Sequence, residues 1–197
     1  MLKKLLSLFG LGRKRATLIV TVPPGRQSCG ALVALDSEGR DLLGGSISVA
    51  TESEQSAGQG YPPTWQLRRH DIPVSLSMDT SVWWSSDLFS AMRTTLGADR
   101  SREHLEAHAA GDTVTNVHLR AEHVVDWATR GGARALGRHE LGRLVPGAKA
   151  DVVLIRNDRS PVSFPLLNPY GHVAFQAQRG DVHTVLVDGR VVKHEGE

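Results

Sequence analysis

Cysteine is almost absent: Cys29 stands alone among 197 residues. A single thiol excludes an intrachain disulfide and any zinc site built from several thiolates, and it suits a reducing, cytoplasmic setting. Long apolar runs are missing as well. None approaches the roughly 20 residues that a helix needs to cross a bilayer, so no membrane span is expected. Neither sign of charge dominates, with 23 Lys and Arg against 21 Asp and Glu, which leaves no general case for nucleic acid as a partner. Internal repeats and low-complexity tracts are lacking too. What is present is ordinary for a globular chain: 40% hydrophobic and 22% charged residues, in a length that can bury one sizeable core or two small ones.

The first stretch, "MLKKLLSLFGLGRKR", has five basic residues and no acidic one. Leu2, Leu5, Leu6 and Phe9 share one helical face, which suits a membrane surface or a loosely held terminal helix or tail. It lacks the small-residue cleavage site of a signal peptide. Residues 16 to 51 read as a small β meander, with "ATLIVTV" broken by "PPG" and a turn at Asp36 to Gly39. The polar stretch "TESEQSAGQGYPP", residues 51 to 63, has the composition of a linker, so 1–60 is expected to form an N-terminal segment. In residues 61–140 the pattern becomes strand and helix. "DIPVSLSM" is a short strand buried on both faces. Asp87 caps a helix over about 87 to 96 that Gly97 can end, and a second helix covers about 121 to 130. Val124, Val125, Trp127 and Ala128 face its core, and Gly131 with Gly132 permits a bend or a close contact. Residues 98 to 116 read as a long polar loop. In 141–197, segments 141 to 156 and 181 to 194 are expected as strands of one β unit, with Asp188-Gly189 as a hairpin turn.

The residue that asks for a function is Asp79. It follows the apolar strand in "VSLSMDTSVWW", and a carboxylate there is costly to desolvate without a partner. Five segments in order, "IPVSLSMDTS", "DLFSAMR", "WATRGGARALG", "LGRLVPGAKADVVLI" and "VHTVLVDGRVV", resemble the C-terminal part of the metal-dependent amidohydrolases. The branch is that of cytosine deaminase, guanine deaminase and the triazine chlorohydrolases, and the resemblance covers about residues 66 to 194. It implies an α/β fold class: the last strand and helices of a TIM-like barrel, then a small β unit of an accessory β-sandwich. It also implies a divalent metal, zinc or iron, that activates a water. By resemblance Asp79 is the metal ligand and the catalytic proton carrier. Trp83 and Trp84, just past it, would stack on a heterocyclic small-molecule substrate or pack under the 98–116 loop. A simpler role for Asp79 is to cap the turn at Thr80 or Ser81.

The chain departs from that family in what surrounds Asp79. None of its nine histidines forms the His-x-His pair that the family's metal site needs, and the first seven barrel strands have no evident counterpart. His104 and His108 stand four apart in polar surroundings and read as a solvated face. Residues 1–60 read as an unrelated leader, with a weak resemblance on "LIVTVPPG" and "ALVALDSEGR" to a bacterial family related to L,D-transpeptidases. Cys29 is expected there as an inert thiol. The expectation is an amidohydrolase acting on carbon–nitrogen bonds other than peptide bonds, truncated and inactive as an isolated chain. The alternative is a non-catalytic module that pairs with another chain or forms a homo-oligomer.

Overall fold

The computed structural model describes residues 17–19, 33–35, 47–80, 82 and 85–195, and the chain divides into two units, Met1–Gly44 and Gly45–Glu197. In the first, β1 (Thr17–Ile19) pairs antiparallel with β2 (Val33–Leu35), Leu18 opposite Ala34. The basic stretch at 1–15, Cys29 and the turn at 36–39 lie outside the described residues.

The second unit is organised by a parallel pair. β3 (Ile47–Val49) lies beside β4 (Val74–Leu76), with Ile47 opposite Val74 and Val49 opposite Leu76. Strands that run the same way need a long crossover to join them. Helices α1 (Thr51–Ser56) and α2 (Thr64–Arg69) supply it. This corrects two sequence-based expectations. A second parallel strand precedes the one anticipated, and residues 51–63 are not a linker, since Thr51, Glu52, Ser53 and Pro62 are all buried. The polar groups of Thr51 and Ser53, and one oxygen of Glu52, escape notice in a composition argument because they find partners inside the fold. The Thr51 hydroxyl meets that of Thr95 at 2.8 Å, and Ser53 Oγ donates to the Ala50 carbonyl at 3.0 Å.

Helix α3 (Leu88–Ala109) starts where expected, with the Asp87 carboxylate accepting from Ser90 N at 2.7 Å. It does not stop at Gly97. Beyond that glycine Asp99 is fully buried, accepting from Thr64 Oγ1 and from Arg68 of α2, and this anchorage carries the helix through most of the expected loop. The next helix runs as α4 (Ala121–Asp126), a π-helical turn (Trp127–Gly131) and α5 (Gly132–Ala135). Val124 and Trp127 enter the core with Val49, Leu67, Val74, Leu76, Met92, Leu96 and Leu119, as the helical spacing predicts for the first two. Gly131 is the point of closest approach, because a Cβ built there would sit 2.2 Å from the Val74 carbonyl oxygen. Gly142 serves the same end. It has φ +74, and a Cβ there would lie 2.7 Å from the Thr129 carbonyl.

A three-stranded antiparallel sheet ends the chain, in the order β5 (Val152–Ile155), β6 (Val182–Val187), β7 (Arg190–His194). Asp188 and Gly189, at φ 50 and 79, make the expected tight turn, and Lys149 Nζ donates to the Asp188 carboxylate at 2.6 Å.

Three outcomes follow from these contacts. Gly131→Ala must push α5 or β4 aside and should cost roughly 1–3 kcal/mol or more, whereas Gly132→Ala, with open space at its Cβ, should stabilise by about 0.5–1 kcal/mol. Paired thermal melts read the difference. Asp99→Ala leaves Arg68 without its buried partner and should cost about 3 kcal/mol in a urea titration. Glu54 is different in kind, since burial, followed by the charge of Asp79, raises its pKa despite a bond from Ala50 N. A carboxyl raised by folding is disfavoured as the ion, so its contribution to stability is fully present below its unfolded value of 4.5 and is lost as pH rises. Glu54→Gln should therefore raise the melting temperature at pH 7 and lose that gain below pH 4.5.

Candidate functional site

In a parallel sheet both strands deliver their following residues to the same end. Past Leu76, the end of β4, comes Asp79, which is exposed and has a left-handed backbone at φ 57. Its amide donates to Ser77 Oγ at 2.9 Å, so the turn is held by the serine hydroxyl. Aspartate is among the few residues that accept this φ readily. In the following turn, where the simpler reading has Asp79 as a cap, Thr80 Oγ1 accepts from Val82 N at 3.4 Å, and Ser81 lies outside the described residues.

Past Val49, the end of β3, come two more acids. Glu52 is 1% exposed. Its Oε2 accepts from Ser85 Oγ at 2.8 Å and from Ser85 N at 3.4 Å, while Oε1 is buried without a hydrogen-bond partner among the described residues. Because Ser85 lies on the segment that follows Asp79, the Glu52 carboxylate bridges the two strand ends. Glu54 accepts from Ala50 N at 3.1 Å through Oε1. Its other oxygen is also buried without a hydrogen-bond partner among the described residues, and Asp79 is near enough to raise its pKa. Assigning residues 51–63 to a linker hid both glutamates. The usable signal was the order of the pieces: "SISVATESE" places acids straight after an apolar strand, as "VSLSMD" does.

Trp83 and Trp84, the expected substrate-stacking residues, lie outside the described residues. His104 and His108 are exposed on α3, their rings 6.0 Å apart. Sixteen residues past Leu88, His104 stands about 24 Å along the helix, remote from the end of α3 that follows the Asp79 segment. His118 is paired with Glu103 and His123 Nδ1 accepts from Arg120 N. Among the described residues no three His, Cys, Asp or Glu side chains are grouped to hold a metal ion, and no helix is long and apolar enough to cross a membrane.

Comparison with known proteins places the chain in a family. The model of the Amidohydrolase family matches residues 34–192, beginning within the stretch that reads as an unrelated leader. The chain is 35% identical over 150 residues to a 5-methylthioadenosine/S-adenosylhomocysteine deaminase of Desulfitobacterium hafniense, covering 76% of this chain and 32% of that one. A 5'-deoxyadenosine deaminase of Methanothermobacter thermautotrophicus is 33% identical over 152 residues, 77% of this chain and 33% of the relative. Among solved structures, a zinc-bound adenosine deaminase from Xanthomonas campestris superposes with a TM-score of 0.63 at 25% identity, over 76% of this chain and 32% of that one. Guanine deaminase of E. coli shares the fold, with a TM-score of 0.64 at 18% identity, over 77% of this chain and 34% of that one. The chain thus spans about a third of the length of the relatives it matches. On the family match and on relatives above 30% identity across three quarters of its length, the chain belongs to the amidohydrolase family.

Proposed function

We propose that this chain supplies the C-terminal part of a deaminase-type catalytic unit. The reaction is hydrolysis of a carbon–nitrogen bond in a heterocycle, in which water adds to a ring carbon and ammonia leaves. The observation that carries the reading is the position of Asp79, exposed at the C-terminal end of a buried parallel strand, the end at which barrel enzymes place their chemistry. There a carboxylate can take a proton from the attacking water and return it to the departing amine. The relatives' names point to purine nucleosides as the substrate class, and Trp83 and Trp84 are proposed to stack on the ring. β5 to β7 are proposed as one face of the accessory β-sandwich, and the setting as cytoplasmic.

The family's metal, zinc or iron, does not fit the described residues taken alone. A catalytic zinc site has typically three protein ligands and favours imidazole nitrogen, whereas this rim offers carboxylate oxygens and no group of three donors. The isolated chain is therefore proposed to hold metal weakly and to lack turnover. The second reading, a non-catalytic module that associates with another chain or with itself, rests on the same shortage of ligands and on the half-exposed Val153, Leu154, Val191 and Val192 of the terminal sheet.

Two measurements test the reading. Metal analysis and ammonia release from adenosine should find substoichiometric zinc and no turnover for the 197-residue chain; full zinc loading with turnover would refute the claim of inactivity. Exchanging the matched 150 residues of the Desulfitobacterium deaminase for those of this chain should restore deamination, and Asp79→Asn in that chimera should lower kcat by about 100-fold or more. An unchanged rate would remove Asp79 from the chemistry.

A further inference from the structure

Two histidines near the end of α3 take no part in the bonding that holds the fold. His104 and His108 are both exposed, and among the described residues neither ring makes a hydrogen bond or an ion pair. The ring contact each makes is with the other, edge to face, with centroids 6.0 Å apart. The acids beside them are taken: Glu103 pairs with His118, and Glu106 accepts from Arg102 Nη1 at 2.6 Å. Most other histidines have partners as well, His123 with Arg120, His172 with Gln176, and His183 and His194 both with Thr184. Residues four apart on a helix share one face, about 6 Å apart along the axis. The helix thus presents two unoccupied imidazoles side by side to solvent.

We infer that His104 and His108 form a chelating site for a divalent transition metal ion such as zinc, separate from the strand-end rim. Zinc takes imidazole nitrogen at about 2.0–2.1 Å in tetrahedral geometry, which puts the centroids of two rings on one ion roughly 5 Å apart. Rotation of the exposed side chains closes the observed 6.0 Å to that separation without moving the backbone. Chelation supplies the affinity, because once one ring holds the ion the second meets it at high effective concentration. His108 lies in the last turn of α3, where the negative end of the helix dipole favours a cation. Magnesium and calcium prefer oxygen ligands and are not bound here. No third His, Cys, Asp or Glu among the described residues joins the pair, so water fills the other positions. Such an ion exchanges readily and is lost on purification, in keeping with substoichiometric zinc. When bound it spans the final turns of α3 and stabilises the folded chain by mass action. The inference is independent of the deaminase reading, since the pair stands about 24 Å along α3 from the helix start that follows Asp79.

The test is calorimetric titration of the metal-stripped 197-residue chain with zinc chloride and, separately, magnesium chloride, together with thermal melts in each salt. Zinc should bind saturably at submillimolar concentration and raise the melting temperature, and magnesium should do neither. His104→Ala and His108→Ala should each weaken zinc binding about tenfold or more, because a single imidazole cannot chelate, and each should remove most of the thermal shift. Both changes lie on an exposed helix face and introduce a better helix former, so the variants should fold, which their metal-free melts check. His139→Ala removes an exposed imidazole elsewhere and should leave the zinc response unchanged. Wild-type chain that binds no zinc at millimolar concentration would overturn the inference. So would an equal response to magnesium, or zinc binding undiminished in both variants, the pattern of adventitious binding to scattered histidines. A zinc response lost in Asp79→Asn would place the ion at the rim and overturn it as well. Failure of the deaminase reading is recorded separately, by the inactive chimera.

Discussion

The parallel contact between β3 and β4 sets the terms for the larger unit. Because the two strands run the same way, the chain must leave β3, cross over and return, and α1 and α2 exist to make that journey. The same direction brings the residues after Val49 and those after Leu76 to one end, so Glu52, Glu54 and Asp79 become neighbours although Glu52 and Asp79 are far apart in sequence. An antiparallel pairing would have sent them to opposite ends. Close packing keeps the pair in place. Gly131 lets the helix backbone reach the Val74 carbonyl, a distance that no side chain would permit, and Val124, Trp127 and Leu96 fill the space around it.

Polar groups, more than apolar ones, tie the crossover to the long helix. Thr64 and Arg68 on α2 converge on Asp99 of α3, and Thr51 on α1 meets Thr95 one turn earlier on α3. Groups buried this deeply are tolerated only when bonded, so each contact fixes an angle as well as a distance. Arg93 and Arg100 do the same at the other side of α3, donating to the carbonyls of Ala177 and Leu119. The helix is held along much of its length by directional bonds, which is why a glycine in its middle does not end it.

These bonds also explain what could and could not be read beforehand. Local chemistry was legible. The Asp188-Gly189 turn, the Asp87 cap, the inward face of Val124 and Trp127, and the close contact at the paired glycines all follow from a few adjacent residues. What failed were judgements from polarity. "TESEQSAGQG" resembles a linker because its polar atoms are assumed to need water, yet Thr51, Glu52 and Ser53 find partners at Thr95, Ser85 and Ala50. The partners at Thr95 and Ser85 come from segments more than 30 residues away, and no window of sequence contains them. The helix beyond Gly97 was missed for the same reason, since Asp99 reads as solvent-facing until Arg68 and Thr64 are placed against it.

Asp79 stands out in the sequence by its place after a buried strand, and Glu52 does not, although each is the third residue past the end of one of two neighbouring strands. Their surroundings then diverge. Asp79 is exposed and open to solvent, whereas Glu52 and Glu54 carry buried oxygens without hydrogen-bond partners among the described residues. Among the described residues no three His, Cys, Asp or Glu side chains join these acids in a group that could hold a metal ion. The Desulfitobacterium relative extends about three times as far as the segment of it that this chain matches, and a barrel surrounds its rim with the ends of eight strands. This chain has two parallel strand ends followed by acids.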